Sequence, residues 1–320
     1  MERLVAFLVA MAALLGHAAA QDPRSPRLGI LTPTGLSVAS MRQHVLPELA
    51  RRGFAEGENL DVVWGVGSLD RMDALARDLA AARPQVVIAV SDFAIQAMHA
   101  ADPQVPIVMS FIGSDPVAAG YAATLARPGG RVTGQMMLSH EFDAKRLELL
   151  NELAPSAQRI AVLRYAPPRH DVSMANLAAA ARRLGLTLEG AVVGPAADYD
   201  EAIRRARESG AQALLVMSAP GFARDAPAIA RAGTRLGLPT MCEWDFMARE
   251  GCLAGYGPSV EELRSRTAFQ VAEILRGTPP GDLPIEGPTQ FRFVLNLQTA
   301  RALDFVLPRA VLARADETVE

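Results

Sequence analysis

Arg83-Pro84-Gln85-Val86-Val87-Ile88-Ala89-Val90-Ser91-Asp92-Phe93-Ala94 decides how the rest of the chain is read. Val86 to Val90 is a short unbroken apolar run after a proline, and it ends in Ser-Asp. Helical spacing then begins at Ala94, Ala97 and Met98. Runs of this length, rich in β-branched residues, are strands buried on both faces of a parallel sheet. Ser91 and Asp92 fall at the strand's carboxyl end, where the following helix needs an N-cap. Open α/β sheets bind their ligands along that edge.

Outward from this stretch the same unit repeats. Upstream, the spacing predicts strands over 27–31 and 59–64 and helices over 38–52 and 69–82; downstream, strands follow over 105–109 and 131–137. A second series places helices over 142–153, 172–184, 199–209 and 222–236. These alternate with strands over 159–163, 187–193, 213–217, 239–242 and 252–256. Such alternation builds βαβ units, parallel sheets and right-handed crossovers. The tail differs. A helix over 259–276 opens with Ser259 and Glu262 at capping-box spacing. A Gly- and Pro-rich loop over 277–288, a strand over 291–297 and a short helix to about Leu303 follow.

At 320 residues, half of them hydrophobic, the chain can bury a large core in one or two domains. A net charge of -3 gives no electrostatic case for nucleic acid or an anionic membrane surface. The N-terminus says more. Leu4 to Leu15 is apolar but too short to span a bilayer, and Ala18-Ala19-Ala20 supplies the small residues of a cleavage site. Residues 1–20 therefore read as a cleaved signal peptide and the mature protein as soluble and exported; a membrane anchor is the weaker alternative. For Cys242 and Cys252 an oxidising compartment permits a disulfide. Placed at the end of one parallel strand and the start of the next, however, the thiols would lie too far apart, so two buried free thiols is the favoured reading.

The chain lacks a G-x-x-x-x-G-K-[ST] phosphate loop and a G-x-S-x-G elbow. Its five histidines form no H-x-H or H-E-x-x-H pair, and two cysteines without such a pair do not make a zinc site. Ser91-Asp92 and Glu243/Asp245 could serve acid–base chemistry, but without a neighbouring His or Lys, capping and hydrogen bonding account for them better. The expectation is a protein that is not an enzyme and needs no metal or cofactor. What recurs is small polar and aromatic residues at strand ends: Thr32, Thr34, Ser91, Ser110, Phe111, Tyr165, Ser218, Trp244 and Tyr256. Hydroxyls and helix N-termini suit a carboxylate, ring faces suit an aromatic group or an ammonium, and Asp92 or Asp245 could pair with an amine. The plainer reading stands beside each: serines cap helices, and phenylalanines such as Phe93, Phe222 and Phe246 pack them onto the sheet.

A set of motifs occurs in order along the chain. It comprises Gly53-Phe54-(x2)-Gly57-(x)-Asn59-Leu60, Ser114-Asp115-Pro116-Val117 and Leu125-Ala126-Arg127-Pro128-Gly129-Gly130-(x)-Val132-Thr133-Gly134. Lys145 to Leu150, Tyr256-Gly257-Pro258, Asn296-Leu297-(x)-Thr299-Ala300-(x)-Ala302-Leu303 and Arg314-Ala315-Asp316-Glu317 complete it. The set resembles the tryptophan-binding-like family of ABC-transporter substrate-binding proteins. The resemblance implies a type I periplasmic binding protein fold: α/β, two doubly wound parallel-sheet lobes joined by a hinge of three crossovers. Lobe 1 would take 27–138 plus 257–289, and lobe 2 would take 139–256 plus 290–320. It further implies a monomer in the periplasm that closes on a small ligand, an aromatic or amphipathic carboxylate or amino acid. That ligand would pass to an ABC permease with a separate ATPase subunit. A sensory receptor's binding subunit is the alternative, with an enzyme on a similar fold behind it. Two positions depart from the family's pattern: Arg164-Tyr165-Ala166-Pro167 stands where an Asn-Pro turn is expected, and Met217-Ser218-Ala219-Pro220 where Pro-Asp-Pro is expected.

Overall fold

Val86–Val90, the strand read first, is buried at every residue and becomes the middle of a parallel sheet. In the computed structural model the described residues are 25–33, 35–112, 115–137, 139–166, 171–194 and 198–320. The signal segment, Thr34 and Ser114 lie outside them. Among the described residues the first sheet runs β11-β5-β4-β3-β1-β2. Its strands are β1 (Arg27–Thr32), β2 (Asp61–Val66), β3 (Val86–Val90), β4 (Ile107–Ile112), β5 (Val132–Met136) and β11 (Ile285–Glu286). Every pairing in it is parallel. The second sheet runs β13-β12-β10-β9-β8-β6-β7. It contains β6 (Arg159–Tyr165), β7 (Thr187–Val193), β8 (Ala213–Val216), β9 (Thr240–Cys242), β10 (Ala254–Pro258), β12 (Phe291–Asn296) and β13 (Glu317–Val319). Only β10 and β12 pair antiparallel.

Because successive strand residues face opposite sides, each sheet carries two apolar layers. In the first sheet Leu28, Ile30 and Ile88 face one layer with Met41 and Val45, which follow α1 (Gly35–Ser40), and with α2 (Leu46–Arg51) and α11 (Val260–Leu275). Leu31, Val87 and Ala89 face the other, with α3 (Met72–Ala81) and α4 (Asp92–Ala101). In the second sheet one layer holds α5 (Ser139–Leu153) and α6 (Asp171–Leu184). The opposite layer holds α7 (Tyr199–Glu208), α8 (Pro220–Arg224), α9 (Ala226–Arg235) and α10 (Asp245–Arg249). Short α12 (Leu297–Ala302) and α13 (Arg309–Leu312) follow β12. No helix among the described residues is long and apolar enough to cross a membrane.

The chain passes between the sheets three times. It leaves the carboxyl end of β5 for α5, the carboxyl end of β10 for α11, and the carboxyl end of β11 for the start of β12. Since β12 runs antiparallel to β10, its start lies at the second sheet's carboxyl edge. All three passages therefore join one carboxyl edge to the other, which turns both ligand-type edges toward the junction. Two passages are tied together: Ser259 N–H donates to Gln290 O at 2.9 Å, and Gln290 N–H donates to the Glu262 carboxylate at 2.8 Å. Ser259 caps α11 as its spacing predicts, while Glu262 holds the neighbouring passage.

Four details differ from the sequence reading. The helix predicted over 38–52 contains a π-turn, Met41–Val45, directly before Pro47. Proline has no N–H for the carbonyl four residues back and crowds it, and a wider turn accommodates this. The predicted helix over 222–236 is two helices meeting at Asp225. Ile285–Glu286, inside the predicted loop, is a short strand, with Thr133 Oγ1 donating to Leu283 O at 2.7 Å beside it. The thiol reading is corrected: Cys242 and Cys252 form a disulfide with a Cα–Cα distance of 6.4 Å. β9 is only three residues long and Cys252 precedes β10, whose Ala254 pairs with Met241. The two ends of so short a strand are within bridging distance, and the premise of a long parallel strand fails.

Candidate functional site

Both sheets repeat one order, 2-1-3-4-5 in the first and 7-6-8-9-10 in the second. In this order the connections diverge between the first strand and the third, opening a crevice beyond their carboxyl ends. The crevice of lobe 1 falls between β1 and β3, where Thr32 and Ser91 sit. That of lobe 2 falls between β6 and β8, where Tyr165 and Ser218 sit.

At the first edge Thr32 ends β1 and is fully buried. Ser91 links β3 to α4 with φ 93° and ψ 156°, a region that residues other than glycine rarely occupy. Its hydroxyl caps the helix through Ala94 N–H at 3.4 Å, and its own N–H donates to Ser110 O at 3.2 Å. Asp92 opens α4, half-buried, and together with burial its charge raises the Tyr121 hydroxyl above its ordinary pKa. Ser110 lies in β4 and is 1% exposed. Phe111 follows it in the strand; its side chain is outside the described residues. Phe93 projects outward, 51% exposed.

The second edge carries the rings. Tyr165 ends β6 and stacks on Phe222 of α8, with centroids 4.5 Å apart and planes at 6°. Phe222 meets Tyr199 edge to face at 6.0 Å, and the Tyr199 hydroxyl donates to Asp225 at 2.7 Å. Burial and this carboxylate push the Tyr199 pKa well up. Gly221 makes the stack feasible: a Cβ there would stand 2.1 Å from the Tyr165 hydroxyl oxygen. Trp244 follows β9, is buried, and stacks on Phe246 at 6.5 Å. Tyr165, Phe222 and Trp244 all belong to the α7–α10 layer.

Tyr256 does not join them. It packs in the opposite layer, stacked on Phe291 at 5.8 Å and edge to face with Phe293 at 6.3 Å. Asp245 opens α10 and pairs with Arg249 at 3.0 Å, which also binds Glu317. Its carboxylate is thus engaged in a surface ion network.

Beneath Ser218 lies a buried polar cluster that sequence reasoning missed. Arg146, on α5 and fully buried, donates to Asp143 at 2.6 Å, to Ser218 Oγ at 2.7 Å and to Tyr256 O at 3.2 Å. Glu243, at the end of β9, completes the cluster. Burial raises its pKa to about 6, against the opposing pull of Arg146 and a hydrogen bond with Ser218. Gly257 lets β10 come this close, since a Cβ would lie 2.2 Å from Glu243 O. Among the described residues Arg146 Nε and Asp143 Oδ2 have no hydrogen-bond partner. In sequence Arg146 stands only within the motif from Lys145 to Leu150, and the approach of α5 to β8 and β9 buries it.

Two sheets of this order, three passages and hydroxyl- and ring-lined edges define a two-lobed binding protein. Residues 35–319 match the family of ABC transporter substrate binding proteins, and the chain belongs to that family. It is similar to a tyrosine-binding protein of Clostridioides difficile (strain R20291), 22% identical over 84% of this chain and 77% of the relative. A conserved domain protein from Vibrio cholerae superposes with a TM-score of 0.82 at 26% identity over 93% of this chain and all of that one. A Streptococcus pneumoniae ABC domain in complex with L-Trp gives 0.81 at 21% over 92% of this chain and all of that one. The fold is the type I periplasmic binding protein fold expected from the motifs.

Proposed function

We propose that this protein captures a small aromatic or amphipathic carboxylate, amino acids included, between its two lobes and closes on it by motion at the three passages. Closure follows from contact: a ligand that touches both edges favours the state in which both are present. The carrying observation is the ring pair at the end of β6, Tyr165 stacked on Phe222 beside the β6–β8 switch, with Trp244 in the same apolar layer. Relatives named for tyrosine binding and solved with L-Trp support the same ligand class. The loaded protein, a monomer exported by the signal over 1–20, delivers its ligand in the periplasm to a permease driven by a separate ATPase subunit. No turnover is part of this function, and the ligand leaves unchanged.

The test is a thermal-shift screen of refolded mature protein against amino acids, aromatic acids, sugars and short peptides. Ligand at 100 times its dissociation constant stabilises by about 2.7 kcal/mol. Selective stabilisation by aromatic acids or amino acids is expected, and Tyr165→Ala and Trp244→Ala should each weaken it roughly tenfold or more. Stabilisation by sugars alone would overturn the ligand class.

A further inference from the structure

Tyr165 is the last residue of β6 and half-buried, while Phe222 beneath it is 1% exposed. The stack therefore presents the Tyr165 ring outward and keeps Phe222 inside. A tyrosine at a strand end can turn about two side-chain bonds, so a fixed ring face needs a second hold. The hydroxyl supplies it. Tyr199, the first residue of α7, gives its own proton to Asp225 Oδ2 at 2.7 Å. Its oxygen is hydrogen-bonded with the Tyr165 hydroxyl, which must then be the donor. Arg224 holds the Asp225 carboxyl below its ordinary range through bonds of 2.8 and 2.7 Å, so the relay ends on an ionised acceptor. Such an acceptor binds more strongly than a neutral one, and each link polarises the next. Gly221 completes the arrangement. It lies in α8 with ordinary helical backbone, so space and not conformation calls for glycine. A Cβ there would stand 2.1 Å from the Tyr165 hydroxyl oxygen and 3.2 Å from Cζ.

We propose that Gly221, Tyr199 and Asp225 are positioning residues that fix Tyr165 as a flat platform and so set a preference for aromatic over aliphatic ligands. They act on the ligand only through Tyr165. Its hydroxyl is engaged inside the lobe, so the platform offers a ring face and no hydrogen bond. An immobile ring gains from stacking on a second ring and loses no rotamer freedom when the ligand arrives. An aliphatic chain gains contact area alone. The inference rests on the small-molecule binding function proposed above.

The experiment measures binding of two matched pairs, L-tryptophan with L-leucine and phenylacetate with 4-methylpentanoate. Wild type should favour the aromatic member of a bound pair by roughly tenfold. Tyr165→Phe and Tyr199→Phe keep both rings and break the relay. Each should cut the ratio roughly threefold, and the double variant should cut it no further, because both act on one link. Gly221→Ala should abolish the preference, a roughly tenfold loss, by pushing the Tyr165 hydroxyl aside. Adding Tyr165→Phe removes the clashing oxygen and should bring the ratio back to that of Tyr165→Phe alone. If Gly221→Ala fails to fold, the phenylalanine variants decide. Losses that add, aromatic and aliphatic members weakened alike, or a ratio that no folded variant moves would overturn the positioning role. A wild type that binds both members of a pair equally overturns the platform alone. A wild type that binds no member of either pair overturns the binding function proposed above and the platform with it, an outcome distinct from lost preference.

Discussion

Among the described residues each lobe buries one arginine, and the two meet different groups. Arg264 in lobe 1 donates to the hydroxyls of Ser40 and Ser110. Arg146 in lobe 2 donates to Asp143 and Ser218, with the Glu243 carboxyl also in its field. The second edge therefore holds two carboxyl groups around one guanidinium. Tyr165, Phe222 and Trp244 share one apolar layer of the second sheet. A buried charge sets the character of its surroundings through its counter-charges more than through its own sign.

The contrast can be broken in order of expected effect. Asp143→Ala strands Arg146 in a dry layer and should cost about 3–5 kcal/mol in urea unfolding, whereas breaking an exposed pair such as Arg224–Asp225 by Arg224→Ala should cost well under 1. Equal losses would show that burial does not set the difference. Next, reduction of Cys242–Cys252, ten residues apart, should destabilise by about 2–3 kcal/mol, read as a lower unfolding midpoint with dithiothreitol. An unchanged midpoint would mean the bridge adds nothing to the lobe.

Glu243 sharpens the electrostatic side. Its folded pKa of about 6 stands above the ordinary 4.5, so the folded state holds this proton more tightly. Its contribution is fully present below about pH 4.5 and is lost as the pH rises through 6, a change of about 2 kcal/mol. Arg146, Asp143, Ser218 and Trp244 surround the group. Glu243→Gln should remove this pH dependence; melting curves with the same slope in both proteins would contradict it. The smallest effect concerns the first edge. Ser91→Gly relieves the positive φ at the cost of a long cap bond and should stabilise by about 1 kcal/mol, while Ser91→Ala should destabilise. A destabilised glycine variant would locate the strain elsewhere.

How far the sequence could be read depended on whether the signal was local. Val86–Val90, Ser91 as a cap and Ser259 as a cap were legible because period, β-branching and N-cap chemistry act within a few residues. Ile285–Glu286 was not: its strand exists through pairing with β5. The partners of Asp245 and Tyr256, Arg249 and Phe291, were set by packing rather than by any local pattern. Arg146 and Arg264 were invisible because a mid-helix arginine carries no mark of its burial, which neighbouring strands decide.

By itself, then, the sequence determined the alternation of strand and helix, hence parallel sheets, and ordered motifs specific enough to point to the family. Those features are set by backbone propensity and by apolar periodicity, which are properties of neighbouring residues. Only the tertiary structure decided which charges are buried, which cysteines meet, and which rings share a layer. Burial of these charges depends on groups 72 and 154 positions apart, as in Arg146–Ser218 and Arg264–Ser110. No local pattern encodes those distances.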